Sequence, residues 1–253
     1  MLPPEVHHLQ GDLAEKETLT SLPSSLDFVF YTASSGGSSK EAYRAAYSQG
    51  IRNLIDTLTD QRQKIRRLFF ISSTGVYAQQ EGEWIDENSA TRTDHDAGRY
   101  LLKGESIVKE SPYPGTIVRL AGIYGPGRIR LIERIAQGKE ACNRDRTQYS
   151  NLIHLNDCVA TLIHLMRLAD PSELYVAADN QPVDRCVLLN WLSRQLDAPR
   201  PISLPAEQLP VRQLRSNKRC SNRRLLESGY CFCFPTFREG YSPLIKDYKK
   251  LSA

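Results

Sequence analysis

The chain has no apolar run near the roughly 18 residues that would cross a membrane. Its opening residues, Met-Leu-Pro-Pro-Glu, have neither the basic stretch nor the apolar core of a secretion signal. No membrane partner is expected, and the cytoplasm is the default location. Six cysteines, Cys142, Cys158, Cys186, Cys220, Cys231 and Cys233, show no paired metal-ligand spacing and are too few for a disulfide scaffold. They read as buried or free thiols, and the single Cys231-Phe-Cys233 has neither a second half nor a nearby histidine, so no metal is expected. Internal repeats and low-complexity segments are also lacking. No aromatic ladder or nucleic-acid motif accompanies the densest basic cluster, Arg212, Arg215, Lys218, Arg219, Arg223 and Arg224. That cluster reads as a solvated helix and loop surface, with no nucleic acid as partner.

What remains is an ordinary globular mixture. The 253 residues are 40% hydrophobic and 25% charged with a net charge of +4, enough for one large domain or a domain with an attached lobe. Short β-rich runs alternate with longer stretches of helical spacing, the pattern of a parallel sheet with helical crossovers. The runs are Asp27 to Ala33, Arg67 to Ser72, Gly115 to Leu120 and Glu173 to Ala177. The first three have little polar alternation, which predicts central strands covered on both faces. Tyr43, Tyr47, Ile51, Leu54 and Leu58 recur every three or four residues and predict an amphipathic helix from Lys40 to Gln61. A second helix is predicted near Ala97 to Glu110, stopped by Pro112 and Pro114. Others are signalled by Asn156, Asp184 and Ser221 as starts, the last with Gly229 as its stop. Gly125-Pro126-Gly127 breaks the rhythm and marks a lobe boundary between residues 1–125 and residues 126–253, the latter with interleaved sheet elements.

In an open parallel sheet, ligands lie at the carboxyl ends of the strands. Here those ends read Ser34-Ser35-Gly36-Gly37, Ser72-Ser73-Thr74-Gly75-Val76-Tyr77 and Ala121-Gly122-Ile123-Tyr124-Gly125-Pro126-Gly127. Small and hydroxylated residues at three strand ends let backbone approach a ligand and hydroxyls reach it. Over nearly the whole chain these segments resemble the extended short-chain dehydrogenase/reductases of the NAD-dependent epimerase/dehydratase type. The resemblance implies a Rossmann-like doubly wound parallel sheet with a smaller C-terminal lobe, NAD or NADP as cofactor, a small-molecule substrate, and hydride transfer on a sugar-nucleotide-like or other alcohol or carbonyl compound. A homodimer is left open. Asp12 and Leu13 match the family's adenine contact, Ala33 and Ser34 its strand end beside ribose and phosphates, and Leu120, Ala121 and Gly122 the segment along the nicotinamide. Ser73 takes the place of the catalytic hydroxyl. His154, in a His-x-x-Asp segment, is expected to be structural.

Two departures accompany the resemblance. Asp12 falls where the family has already completed a βαβ unit, and no G-x-x-G-x-x-G turn occurs in the chain. The absent first strand would lie at the sheet centre, so an upstream segment is expected to be missing, with a natural shortening and a covered sheet edge as the alternative. An unextended product of low solubility is a third reading. The family's Tyr-x-x-x-Lys pair falls, in register with Glu105, on Ala97 and Leu101. Tyr100 and Lys103 stand nearby as a displaced pair, offset by about 4.5 Å along the helix and about 60° around it. A non-catalytic dinucleotide-binding or scaffold relative is therefore the rival to an enzyme.

Overall fold

The computed structural model describes residues 3, 5–209 and 216–252. Its principal elements, in chain order, are β1 (Phe28–Tyr31), α1 (Lys40–Arg44), a π-helical turn (Ala45–Gln49), α2 (Gly50–Asp60), β2 (Arg67–Ser73), β3 (Glu83–Ile85), α3 (Asp96–Lys109), β4 (Gly115–Leu120) and β5 (Gly122–Tyr124). There follow α4 (Arg130–Ala136), β6 (Ala141–Cys142), β7 (Tyr149–Ser150), β8 (Leu152–His154), α5 (Leu155–Arg167), β9 (Leu174–Ala177), β10 (Val183–Asp184), α6 (Arg185–Leu196), β11 (Ile202–Ser203), β12 (Lys218–Cys220), α7 (Arg223–Glu227) and α8 (Phe237–Ser252). The fold is α/β with a Rossmann-type parallel central sheet of order β1-β2-β4-β9. Contacts divide the chain into two compact units, residues 1–72 with 93–118 and residues 73–92 with 119–253.

In the first unit, β2 forms because Leu68, Phe69 and Phe70 are an unbroken apolar run with no exposed surface. β1 pairs with it in parallel, Phe28 opposite Arg67 through Tyr31 opposite Phe70, and the Phe30 and Phe69 rings stack at 4.7 Å. β1 is the end strand of the four and no strand pairs with its far side among the described residues, so it is not central here, and it lacks a neighbour as the absent opening unit led one to expect. Its residues Phe28, Val29 and Phe30 are accordingly only half-buried. On α2, Ile51, Leu54 and Leu58 of the expected stripe are buried, with Ile55 beside them. The expected single helix is interrupted, however, by the π turn, where the Tyr31 hydroxyl donates to the Ala46 carbonyl at 2.5 Å. α3 lies close by, because a Cβ at Gly104 would press on the Tyr47 carbonyl oxygen and come within 2.6 Å of the Phe70 ring.

In the second unit, α4, α6 and α8 bury Ile132, Ile135, Leu188, Leu189, Leu192, Phe237, Tyr241 and Ile245 in one core. Four two-stranded pairs frame it: β5 with β8, β3 with β12, β6 with β11, and β7 with β10. Cys142 and Cys186 form a disulfide with Cα atoms 5.5 Å apart. This corrects the reading of all six cysteines as unpaired thiols, since the fold brings β6 beside the start of α6, two segments 44 residues apart in the chain. The reading of the basic cluster as a solvated surface is corrected in part, since Arg223 is exposed on α7. Lys218 is buried and Arg219 half-buried, with the Arg219 guanidinium over the Trp84 and Tyr149 rings at 5.0 and 5.1 Å. Arg212 and Arg215 lie outside the described residues.

Candidate active site and cofactor cleft

At the carboxyl end of β2 the chain turns through a single 3-10 turn, Thr74–Val76. Ser73 caps it, its Oγ accepting from the Gly75 amide at 3.0 Å. Because that bond uses a lone pair, the hydroxyl proton of Ser73 is available to a ligand oxygen. The half-buried Ser73 is framed by buried Ser72, Thr74, Val76 and Tyr77.

The turn is braced from two sides within the second unit. The Tyr77 hydroxyl donates to the Asp86 carbonyl at 2.8 Å and accepts from the Arg119 guanidinium at 2.6 Å. The Lys218 ammonium donates to the Tyr77 carbonyl at 2.9 Å and to Ser216 Oγ at 2.8 Å. Burial holds the Lys218 pKa below its ordinary value, partly offset by Cys220. Neither Arg119 nor Lys218 was identifiable from sequence as a partner of this turn, since Lys218 lies 141 residues away.

In the first unit, Asp12, Leu13, Ala33 and Ser34 line a single cleft of about 430 Å³. Ala42, Ala45 and Ala46, from α1 and the π turn, line it as well. Asp12 opens an Asx turn, with one carboxylate oxygen accepting the Ala14 amide at 2.8 Å. A Cβ at Gly36, on the cleft rim, would meet nothing within 4 Å, so the space above it is open.

Leu120, Ala121 and Gly122 stand in the second unit, the first two buried and Gly122 exposed. Gly122 shares with Arg128, Arg130, Arg134, Glu140 and Arg185 a separate cleft of about 560 Å³. Glu140 binds two of these cations, Arg134 through Nε and Arg185 at 2.7 Å, which leaves Arg128 and Arg130, among the described residues, as unmatched charge facing the cleft.

The family profile described as NAD dependent epimerase/dehydratase matches residues 2–178. The chain belongs to that NAD-dependent epimerase/dehydratase family. Protein YeeZ of Escherichia coli (strain K12) is 33% identical over 132 residues, 51% of this chain and 45% of YeeZ. Short-chain dehydrogenase/reductase family 42E member 1 of Xenopus laevis is 28% identical over 160 residues, 55% of this chain and 41% of that protein. The chain thus aligns with less than half the length of these relatives. A solved NAD-dependent epimerase/dehydratase structure from Methylobacillus flagellatus superposes with TM-score 0.78 at 31% identity, covering 98% of this chain and 86% of that one. RMD from Pseudomonas aeruginosa, complexed with NADPH, superposes with TM-score 0.77 at 19% identity over 98% of this chain and 89% of that one, a likeness of fold.

Within this epimerase/dehydratase chain, α3 presents Leu101, Gly104, Glu105 and Val108 inward. Ser72 Oγ donates to the buried Glu105 carboxylate at 2.6 Å, which ties α3 to the end of β2. Tyr100 is half-buried and Lys103 exposed on the same helix. His154 caps α5, its Nδ1 accepting from the Asn156 amide at 3.2 Å. Its ring packs 3.9 Å from that of Phe234, and burial holds its pKa below the ordinary range. Among the described residues no helix is long and apolar enough to cross a membrane.

Proposed function

We propose that this chain binds NAD or NADP and acts as an oxidoreductase on an alcohol or carbonyl group of a sugar-nucleotide-like small molecule, with residues 1–125 serving the dinucleotide and 126–253 the substrate. The observation that carries the reading is the cleft of the first unit, which collects Asp12, Leu13, Ala33 and Ser34 from two separate segments together with Ala42, Ala45 and Ala46. The residues present fit the adenosine end of a dinucleotide. Asp12 offers a carboxylate oxygen to an adenine amine, and the small side chains admit a flat ring. Bound there, the nicotinamide cofactor would supply hydride transfer.

The chain's own groups then have distinct tasks. Leu120, Ala121 and Gly122 would flank the nicotinamide, Gly122 presenting backbone without a side chain. Ser73 would donate its hydroxyl proton to the reacting oxygen, on a turn kept rigid by Arg119, Tyr77 and Lys218. Tyr100 and Lys103 are the proposed proton-exchanging pair. Arg128 and Arg130 would receive an anionic substrate group such as a phosphate.

A second reading, a dinucleotide-binding relative without turnover, is favoured by one specific observation: the exposure of Lys103, together with Ala97 and Leu101 at the family's tyrosine and lysine positions. The deciding experiment combines melting with turnover. With millimolar NAD or NADP the melting temperature should rise by several degrees, and Asp12→Ala should reduce that shift. A panel of nucleoside-diphosphate sugars should give turnover that falls by about a hundredfold or more in Ser73→Ala. A cofactor shift without turnover would select the binding relative, and no shift with either dinucleotide would defeat both readings.

A further inference from the structure

A second concentration of positive charge lies in the second unit, on the outer face of α6. A cleft of about 640 Å³ there is lined by Arg144, Arg146, Arg194, Arg200 and Arg238 together with Trp191. It shares no residue with the cleft proposed for the substrate. Asp184 is its one carboxylate among the described residues, and both of its oxygens are engaged by backbone amides, Val187 at 3.0 Å and Gln148 at 3.2 Å.

Elsewhere in the chain arginines find carboxylates: Arg134 and Arg185 on Glu140, Arg223 on Glu227, Arg224 near Glu87. In this cleft none of the five makes a close ion pair among the described residues, and a further carboxylate within electrostatic reach, Glu239 beside Arg238, is engaged by Thr236. Arg146 donates to the Gln80 carbonyl at 2.7 Å and Arg238 to the Gln181 side chain at 2.8 Å, both neutral acceptors that orient a guanidinium without cancelling its charge. Arg144, Arg194 and Arg200 are exposed. Like charges gathered in one concavity repel, and the concavity focuses their field on whatever anion enters. Guanidinium forks match phosphate oxygens two at a time.

The frame around these charges is fixed. The Cys142–Cys186 disulfide joins the strand preceding Arg144 and Arg146 to the first turn of α6. Trp191 is held edge-on against Phe237, ring centroids 5.4 Å apart at 89°, and stays half-buried on the cleft wall. Val187, 49% exposed one turn earlier, extends that wall with apolar surface.

We propose that this cleft is a second anion site, which binds a small molecule carrying a pyrophosphate group. Two sources share that chemistry, inorganic pyrophosphate and a nucleoside diphosphate whose base lies on Trp191. The chain's two tryptophans are Trp84 and Trp191, so Trp84→Phe makes the fluorescence report on the cleft alone. That variant of the full chain would be titrated with sodium pyrophosphate and with ADP at constant ionic strength. The expected result is a saturable change in Trp191 emission that weakens by about tenfold or more in Arg144→Gln/Arg200→Gln. Tighter binding of ADP assigns a nucleotide, and equal binding assigns the free pyrophosphate group. An equal response to added chloride, undiminished binding in the arginine variant, or tighter binding of a short single-stranded oligonucleotide would each overturn the proposal. Should Trp84→Phe fail to fold, the same titrations by calorimetry on the unaltered chain separate the same outcomes.

Discussion

Asp179 is the residue whose environment departs furthest from that of an ordinary carboxyl. It is 1% exposed; one oxygen accepts the Gln181 amide at 3.1 Å, and the other has no partner among the described residues. Burial, reinforced by the Glu239 and Asp157 charges and opposed by the Gln181 bond, pushes its pKa up to about 8. The unfolded carboxyl titrates near 4, so between about pH 4 and pH 8 the folded chain holds a proton that the unfolded chain has released. Stability contributed by this group is full at the acid end and declines as pH rises through that window. Asp179→Asn removes the dependence. Melts at pH 5, 6.5 and 8 should show the variant gaining on the parent as pH rises, and a pH-independent difference would mean that Asp179 is ionised in the fold. Asp157 presents the opposite case. It is fully buried, and it accepts from the Tyr230 hydroxyl at 2.7 Å and from the Cys233 and Phe234 amides at 2.8 and 2.9 Å. Asp157→Ala strands these donors and should cost on the order of 3 kcal/mol or more in denaturant unfolding, with Asp157→Asn recovering part of it.

Among the elements, α3 is placed by the absence of a side chain. Gly104 faces the Tyr47 carbonyl and the Phe70 ring at distances that leave no room for a methyl group. Gly104→Ala should therefore destabilise the first unit by about 1–3 kcal/mol despite alanine's higher helix propensity; a stabilised variant would show that α3 can slide away. Elements like α2, β2 and β4 were readable because burial leaves a mark on their residues, a repeat of three or four on the helix and short β-rich runs with little polar alternation on the strands. The π turn was not, since a shifted hydrogen bond to Tyr31 leaves no trace in residue order. Nor was α8, whose pattern is broken by Gly240, packed on the Tyr124 hydroxyl, and by Pro243 inside the helix. The same division holds at the site. Asp12, Leu13, Ala33 and Ser34 were named from the family resemblance of their two segments, whereas Lys218, Arg119 and the Cys142–Cys186 bond depend on chain segments that meet only in three dimensions.

At the scale of the whole molecule, the sheet ends on β1. Phe28 and Phe30 are held to the sheet by their ring contacts with Phe69, and Arg66 lies over the Phe28 ring at 5.0 Å. The far edge of the strand nevertheless offers backbone donors and acceptors with no strand beside them among the described residues. Three half-buried apolar residues in a row, Phe28, Val29 and Phe30, with no lysine or proline among them, lack the devices that usually blunt such an edge. For these 253 residues by themselves, strand addition from a second copy would satisfy that edge, and self-association is the expected outcome as concentration rises. Val29→Lys puts a charge in the middle of the edge at a cost of about 1 kcal/mol in burial. Sedimentation from low to high micromolar concentration should show the parent's mean mass rising while the variant, folded by circular dichroism, remains near the 28.6 kDa of one chain. Equal growth in the two would move the associating surface away from β1. The same pair separates association from cofactor binding, because the cleft at Asp12 and Ser34 contains no β1 residue, so a dinucleotide-induced rise in melting temperature should survive Val29→Lys.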